Sequence, residues 1–285
     1  MRNLATGVFV LAAAIAAHST ALADAPKAPV TPASLAQASA GAIDAVLAGS
    51  WRSAANKARD PYRHPKETLA FFGVAPGQTV IELTPGGGWY AEVLAPYLKD
   101  HGHYIAAIVT PKKPTGEAAG DKTGLYKKFA DDAAQYSKAQ IVEFDAKAPV
   151  FGPANSADVV LTFRNVHNWT DAGTAEAMFK AMYAVLRDGG TLGVVDHRAK
   201  VGSTLAQDKD SGYLPVDVVV KLATDAGFKL QAQSEINANP KDTKDHPKGV
   251  WTLPPTFALK DVDHAKYAAI GESDRMTLKF VKPKK

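Results

Sequence analysis

The densest chemical signal in the sequence is the run Val80-Ile81-Glu82-Leu83-Thr84-Pro85-Gly86-Gly87-Gly88-Trp89-Tyr90-Ala91. A short β-rich stretch passes into three consecutive glycines and out into a helical pattern. Glycine lets the backbone turn tightly and approach a ligand with no Cβ between them. The first turn of the following helix adds unpaired N–H groups and a partial positive charge. Together these predict a nucleotide or nucleoside site at the carboxyl end of a strand. Gly86-x-Gly88-x-x-Ala91 also fits the dinucleotide fingerprint. Glu82 argues against that ligand, because a carboxylate beside a pyrophosphate costs energy. It suits a ligand carrying an ammonium group or hydroxyls. A purely structural turn is the competing reading of the same glycines.

Proton-transfer candidates lie further on. His167 sits in Asn165-Val166-His167-Asn168-Trp169, and Asp196-His197-Arg198 ends a later β-rich run. An unperturbed imidazole titrates near pH ~6.5, within reach of general-base work. The competing roles are a hydrogen-bonded loop for His167 and a solvated strand end for the charged triplet. Arg59-Asp60-Pro61-Tyr62-Arg63-His64 precedes the glycine loop and reads either as a lid, with Tyr62 stacking on a ligand, or as a brace on the domain. No metal-ligand spacing stands out: His101-x-His103 lacks a partner, and His64, His246 and His264 read as isolated surface residues. No Gly-x-Ser-x-Gly elbow is present, which argues against an α/β-hydrolase.

These residues need a scaffold, and the pattern supplies one. Apolar residues at helical spacing predict a helix over 39–56 and another from Pro65 to Phe72, stopped by Gly73. Strands are predicted at Thr79–Leu83, Tyr104–Val109, Gln140–Phe144, Asp158–Phe163 and Thr191–Val195. Helices are predicted between them at Trp89–Lys99, Tyr126–Tyr136 and Thr174–Leu186, with Pro96 expected to kink the first or end it early. Alternation of this kind implies parallel βαβ units with both sheet faces covered. After a helix at Val216–Ala226, two strands, Phe228–Ser234 and Met276–Val281, follow with no clear helix between them and can pair antiparallel.

Length and composition bound the rest. The 285 residues suffice for one large α/β domain or two small ones. Arg2, the apolar stretch Leu4–Ala17 and Ala21-Leu22-Ala23 predict a cleavable signal peptide over residues 1–23, and hence a periplasmic or otherwise exported protein. The apolar stretch is shorter than the ~18 residues expected of a membrane span, and no later one is longer. Residues 24–38, rich in Ala and Pro, read as a linker, leaving 39–285 as the folded domain. Net charge is only +4 and the lysines are scattered, which argues against a nucleic-acid partner. The absence of cysteine excludes a disulfide scaffold, a thiolate metal site and a cysteine nucleophile.

Glu82-x-Thr84-x-Gly86-x-Gly88 resembles the first motif of class I S-adenosylmethionine-dependent methyltransferases, with Thr84 in place of the first glycine. The resemblance runs from about Pro65 to Lys282. Ala157–Leu161 looks like the family's fourth strand, and Leu186-Arg187-Asp188-Gly189-Gly190-Thr191-Leu192 looks like its turn into the fifth. Tyr62–Pro65, Thr84–Tyr90, Phe163–Trp169 and Asp274-Arg275 are similar to strings in exported bacterial predicted methyltransferases. The resemblance implies a doubly wound Rossmann-like sheet of order 3-2-1-4-5-7-6 with the last strand antiparallel. It implies S-adenosyl-L-methionine as cofactor, held by Glu82, Thr84, Gly86 and Gly88, with Asp145 near the adenine. It places Asn165, His167 and Tyr62 as candidate catalytic residues facing a small-molecule acceptor. One position departs: Ile108 stands where the family usually has an acid for the ribose hydroxyls. A non-catalytic ligand-binding protein with this fold, and a nicotinamide-dependent oxidoreductase, are the competing functions.

Overall fold

The computed structural model describes residues 41–111 and 124–284. The expected signal peptide and linker lie outside the described residues.

Four short helices open the chain: α1 over residues 41–48, α2 (Ala54–Lys57), α3 (Asp60–Arg63) and α4 (Pro65–Phe72). The alternating core follows as β1 (Thr79–Leu83), α5 (Ala91–Leu98), β2 (His103–Val109), α6 (Gly124–Asp131), α7 (Ala133–Tyr136), β3 (Gln140–Phe144) and β4 (Ala157–Phe163). Then come α8 (Val166–Asp171), α9 (Ala175–Val185), β5 (Leu186–His197), α10 (Leu205–Asp208), α11 (Val216–Asp225), β6 (Lys229–Ser234), α12 (His264–Ile270) and β7 (Arg275–Val281).

The seven strands form one sheet in the order β3-β2-β1-β4-β5-β7-β6. The first five are parallel, and β7 is antiparallel to both β5 and β6. This is the expected topology. The order reverses between β1 and β4, the switch point at which ligands bind in open α/β sheets. Both faces are covered. Ile81, Leu83, Val160 and Leu192 pack with Met178, Phe179 and Val219 on one side, and Val80, Ala106, Val159 and Leu161 pack with Leu69, Phe72, Leu94 and Leu98 on the other. Contact on the second side is close at Gly193, where a Cβ would lie 2.7 Å from the Phe72 ring.

The elements depart from expectation in several places: the helix expected over 39–56 divides into α1 and α2, and β5 starts at Leu186 instead of Thr191. Pro96 neither ends α5 nor stops it short of Leu98. The carbonyl that Pro96 cannot serve, that of Glu92, accepts a hydrogen bond from Trp51 Nε1 at 3.0 Å instead. The defect in one helix thereby fastens the N-terminal segment to it. The single helix expected over Tyr126–Tyr136 divides at Asp132, whose carboxylate caps the second piece at Gln135 N. The connection between β6 and β7 holds α12 and a 3-10 turn at Gly249–Thr252, so it is not helix-free. Among the described residues no helix is long and apolar enough to cross a membrane.

Candidate functional site

β1 ends at Leu83 and the chain turns through Thr84, whose φ of 51° is left-handed and whose N–H donates to Ala107 O at 2.8 Å. Gly86 and Gly88 follow with φ of 58° and 75°. A Cβ added at Gly86 or Gly87 would meet nothing within 4 Å, so the loop presents bare backbone to open space. A Cβ at Gly88 would lie 2.9 Å from Leu125 Cδ1, so that position needs glycine for packing as well as for conformation. Trp89 and Tyr90 belong to the turn rather than to α5, which begins at Ala91.

A cavity of about 230 Å³ lies over this loop, lined by Glu82, Thr84, Gly86 and Gly87 from below and by Asn56, Arg59 and Arg63 from the N-terminal helices. Glu82 is 2% exposed, and its Oε2 accepts the Tyr104 hydroxyl at 2.6 Å. Burial pushes its pKa up to about 7, against the opposing pull of Tyr104, Arg63 and Arg164. Thr84 Oγ1 is buried here with no hydrogen-bond partner among the described residues. A bare glycine backbone, an orphaned hydroxyl and a buried carboxylate form the donor and acceptor set that a ligand with ammonium and carboxylate groups requires. The opposite wall is held by Trp89, whose Nε1 donates to Asn56 O at 2.9 Å and whose ring carries the Arg63 guanidinium at 4.6 Å. Tyr90 stacks on Phe163 at 3.7 Å.

The carboxyl end of β4 forms the neighbouring half of the site. Asn165 donates to Leu83 O at 3.0 Å and to Thr162 Oγ1 at 3.1 Å, so its amide ties β4 to β1 while lining the cavity. Asp196, wholly buried at the end of β5, caps α8: its Oδ2 accepts from Val166 N at 2.7 Å. Its Oδ1 lies 2.9 Å from His167 Nδ1. Burial would lower the His167 pKa, but the charge and hydrogen bond of Asp196 outweigh it and the net direction is upward. His197 runs the other way. Burial, then Arg275, His167 and Arg164, hold it well below the ordinary imidazole range, and its Nδ1 meets Ser273 Oγ at 2.5 Å.

A second cavity, of about 220 Å³, is lined by Arg164, His167, His197, Trp251, Ser273 and Arg275 among others. A small gap lined by Arg63, Arg164 and Arg275 lies between it and the first. Arg164 lines all three spaces from a left-handed backbone position, φ 62°. Glu272, 2% exposed, is the anion of this region and takes Arg59 at 2.5 Å, Arg63 at 3.3 Å and Arg275. Burial would raise its pKa, but Arg275, Arg63 and Arg59 hold it well below the carboxylate range.

The residues singled out in the sequence divide accordingly. Glu82, Thr84, Gly86 and Asn165 share the first cavity, and His167 and His197 share the second. Gly88 shapes the loop without lining either. Asp145 is exposed, accepts from Lys147 N at 2.9 Å and lines neither cavity. Tyr62 also lies outside both, its ring against Gly271 and its carbonyl accepting from Arg275 Nη1 at 3.3 Å, the position of a brace. Arg198 turns away from Asp196 and His197 to pair with Glu235 and Asp274. Ile108 is half-buried and packs against the core. His246 is not a surface residue: its side chain is buried against Asp242 at 2.8 Å.

His167, Asp196 and His197 lie close enough together to hold a metal ion, an arrangement no local spacing could have disclosed. Two features oppose a cation there. Asp196 already accepts backbone N–H groups on both oxygens, and Arg164 and Arg275 face the same space. Arg63, Arg164 and Arg275 stood in the sequence only as members of longer strings with no role of their own, and Glu272 carried no local signal, because their meeting depends on the fold.

No protein-family model and no curated protein matches this sequence. Solved structures do match. A SAM-dependent methyltransferase from Aquifex aeolicus superposes with a TM-score of 0.52 at 13% identity, over 85% of this chain and 98% of that one. The [4+2]-cyclase SpnF gives 0.53 at 16% identity, over 78% and 81%. Phosphoethanolamine N-methyltransferase 2 from Haemonchus contortus, in complex with S-adenosyl-L-methionine, gives 0.50 at 16% identity, over 78% of this chain and 53% of that one. The fold of this chain, with its 3-2-1-4-5-7-6 sheet, is the Rossmann-like fold of class I S-adenosylmethionine-dependent methyltransferases.

Proposed function

We propose that the protein is an S-adenosylmethionine-dependent methyltransferase that acts on a small-molecule acceptor after export from the cytosol. The observation that carries the reading is Glu82, a carboxylate buried beneath an open glycine loop and beside the orphaned Thr84 hydroxyl. Glu82 would hold the cofactor's α-amino group, and Thr84 with the Gly86–Gly88 backbone would hold its neighbours. The bound cofactor supplies a sulfonium methyl group open to in-line displacement. The chain's own task is then alignment and exclusion of water. Tyr90 and Phe163 wall the first cavity, and Asn165 holds the β4 end against β1. His167, with Nδ1 held by Asp196, has Nε2 left to accept a proton from an acceptor that must lose one. Asp196 would stabilise the resulting imidazolium.

The adenosine end is less well provided, since Ile108 offers no carboxylate and Asp145 stands apart. That supports a second reading, a binding protein that keeps the fold without methyl transfer. The likeness to the [4+2]-cyclase SpnF supports a reading in which the fold is not tied to one reaction.

A thermal-shift panel separates the readings. A ligand at 100 times its Kd stabilises the native state by ~2.7 kcal/mol. S-adenosylmethionine and S-adenosylhomocysteine are expected to shift the transition, whereas a shift with NAD or NADP alone would replace the proposal with a nicotinamide enzyme. Silence from all four would favour the binding protein. Export rests on Arg2, Leu4–Ala17 and Ala21-Leu22-Ala23. Intact mass from a cell-envelope fraction should give a chain beginning near Asp24; full-length chain from the cytosol would contradict it.

A further inference from the structure

We propose that the second cavity binds a small organic anion through its carboxylate or phosphate group, between the Arg164 and Arg275 guanidinium groups. Under the methyltransferase reading, on which only this assignment of role rests, the anion is the methyl acceptor.

The charge balance carries the inference. Four guanidinium groups, of Arg59, Arg63, Arg164 and Arg275, converge where β4 and β7 meet the N-terminal helices. One fully buried carboxylate, Glu272, serves three of them. Asp196 is engaged with His167 and with backbone N–H groups, and Glu82, with its pKa near 7, supplies only part of a charge at neutral pH. Donors are therefore left over. Among the described residues Arg275 Nε, on the wall of this cavity, is buried with no hydrogen-bond partner, as are Arg59 Nη2 and Arg63 Nη2 on the side of the first cavity. The Arg164 side chain makes no hydrogen bond or ion pair among the described residues, although its backbone is held at a left-handed φ of 62° and tied to Val195 O at 2.7 Å. Buried donors without acceptors are costly, and an oxyanion is the group that guanidinium forks satisfy best, often two bonds at a time. Strain kept at such a residue is what a ligand clamp uses.

The remaining walls fit an anion with an apolar body. Trp251, Val250, Pro254 and Pro255 form an apolar side, and His197 and Ser273, paired to each other, add polarity without charge. At about 220 Å³ the space suits a molecule smaller than a drug-sized ligand. His167 stands on the same wall, so the anchored anion would lie beside the proton acceptor.

Benzoate, phenyl phosphate and neutral benzamide are the probes, read on the full chain by calorimetry and by tryptophan fluorescence. Benzoate or phenyl phosphate is expected to bind and benzamide not to bind. Arg164→Gln should weaken the anion at least tenfold while leaving the fold intact, because that side chain makes no hydrogen bond or ion pair among the described residues. The fluorescence change should vanish in Trp251→Phe and persist in Trp89→Phe. Equal binding of benzamide, anion affinity unchanged in Arg164→Gln, or a signal that survives Trp251→Phe would overturn the proposal. S-adenosylhomocysteine binding is measured separately. Anion binding without it would leave this site standing and remove the methyltransferase reading; the converse would remove this site alone.

Discussion

The two halves of the site, only one strand apart, solve opposite electrostatic problems. Beneath the glycine loop Glu82 is buried against the Tyr104 hydroxyl, and burial raises its pKa to about 7 even though Arg63 and Arg164 on the same cavity pull it down. Beyond β4 the excess is positive: cations converge, His197 is held neutral and Arg164 is pushed down to about 10, by burial first and Arg275 next. The contrast teaches which ligand charge each half would welcome, a cationic group above Glu82 and an anionic one at Arg164. Removing the charged residues one at a time breaks or sharpens this contrast.

The largest effect is expected at Glu272. Glu272→Ala leaves Arg59, Arg63 and Arg275 without their shared anion, and breaking a buried ion cluster from one side costs about 3–5 kcal/mol. A fall of many degrees in Tm by calorimetry is expected. Because the folded pKa of Glu272 is depressed, its contribution is present above the unfolded value and lost as pH falls through the acid range. The wild type should therefore lose more stability between pH 5 and pH 3 than Glu272→Gln does. An equal loss in both would show that the cluster is not the acid-labile element.

Glu82 should behave in the opposite sense. A carboxyl whose folded pKa is raised costs stability above its unfolded pKa, so the fold weakens as pH climbs from about 4.5 to about 7. Glu82→Gln keeps an acceptor for the Tyr104 hydroxyl and removes the charge. It should raise stability at pH 8 by up to about 3 kcal/mol, on the scale of 1.36 kcal/mol per unit, and leave it nearly unchanged at pH 4. Chemical denaturation at both pH values reads the difference directly.

Ile108→Asp is expected to cost about 1–2 kcal/mol, because the half-buried side chain packs on the core and a carboxylate there is poorly solvated. If S-adenosylhomocysteine instead bound more tightly to this variant, the ribose hydroxyls would have to be open at that position. The smallest effect belongs to Tyr62→Phe. Its ring lines neither cavity, and ligand affinity should change by less than twofold in titration calorimetry.

How far the sequence could be read tracks how local the cause was. The parallel strands, the antiparallel pair at the end and the glycine loop each follow from short-range patterns and were visible in the chain. Glu82 was visible because it lies on the strand that feeds the loop. His167 and His197 were visible as single candidates, but the second half of the site was not, since α8, β5, β7 and the long connection before β7 bring them together with Trp251, Ser273 and Arg275 over separations that no spacing rule covers. Arg63, Arg164 and Arg275 do fall inside the strings that resemble exported methyltransferases, but only the fold shows that the three line one gap. Pro96 is a local defect answered from a distance. Its cost in a helix is real, yet the freed Glu92 carbonyl found Trp51 from 41 residues away.

Glu82 is the proposed anchor of the ligand beneath the glycine loop. Titration calorimetry of S-adenosylhomocysteine against wild type and Glu82→Gln, from pH 6 to pH 8.5, measures it. Wild-type affinity should rise with pH through about 7 as the carboxylate ionises. Glu82→Gln should bind about 1.5–3 kcal/mol more weakly at pH 8, the range for hydrogen bonds to a charged group, and show no such rise. Equal affinity in a folded Glu82→Gln, with the same pH profile as wild type, would contradict the placement of the cofactor.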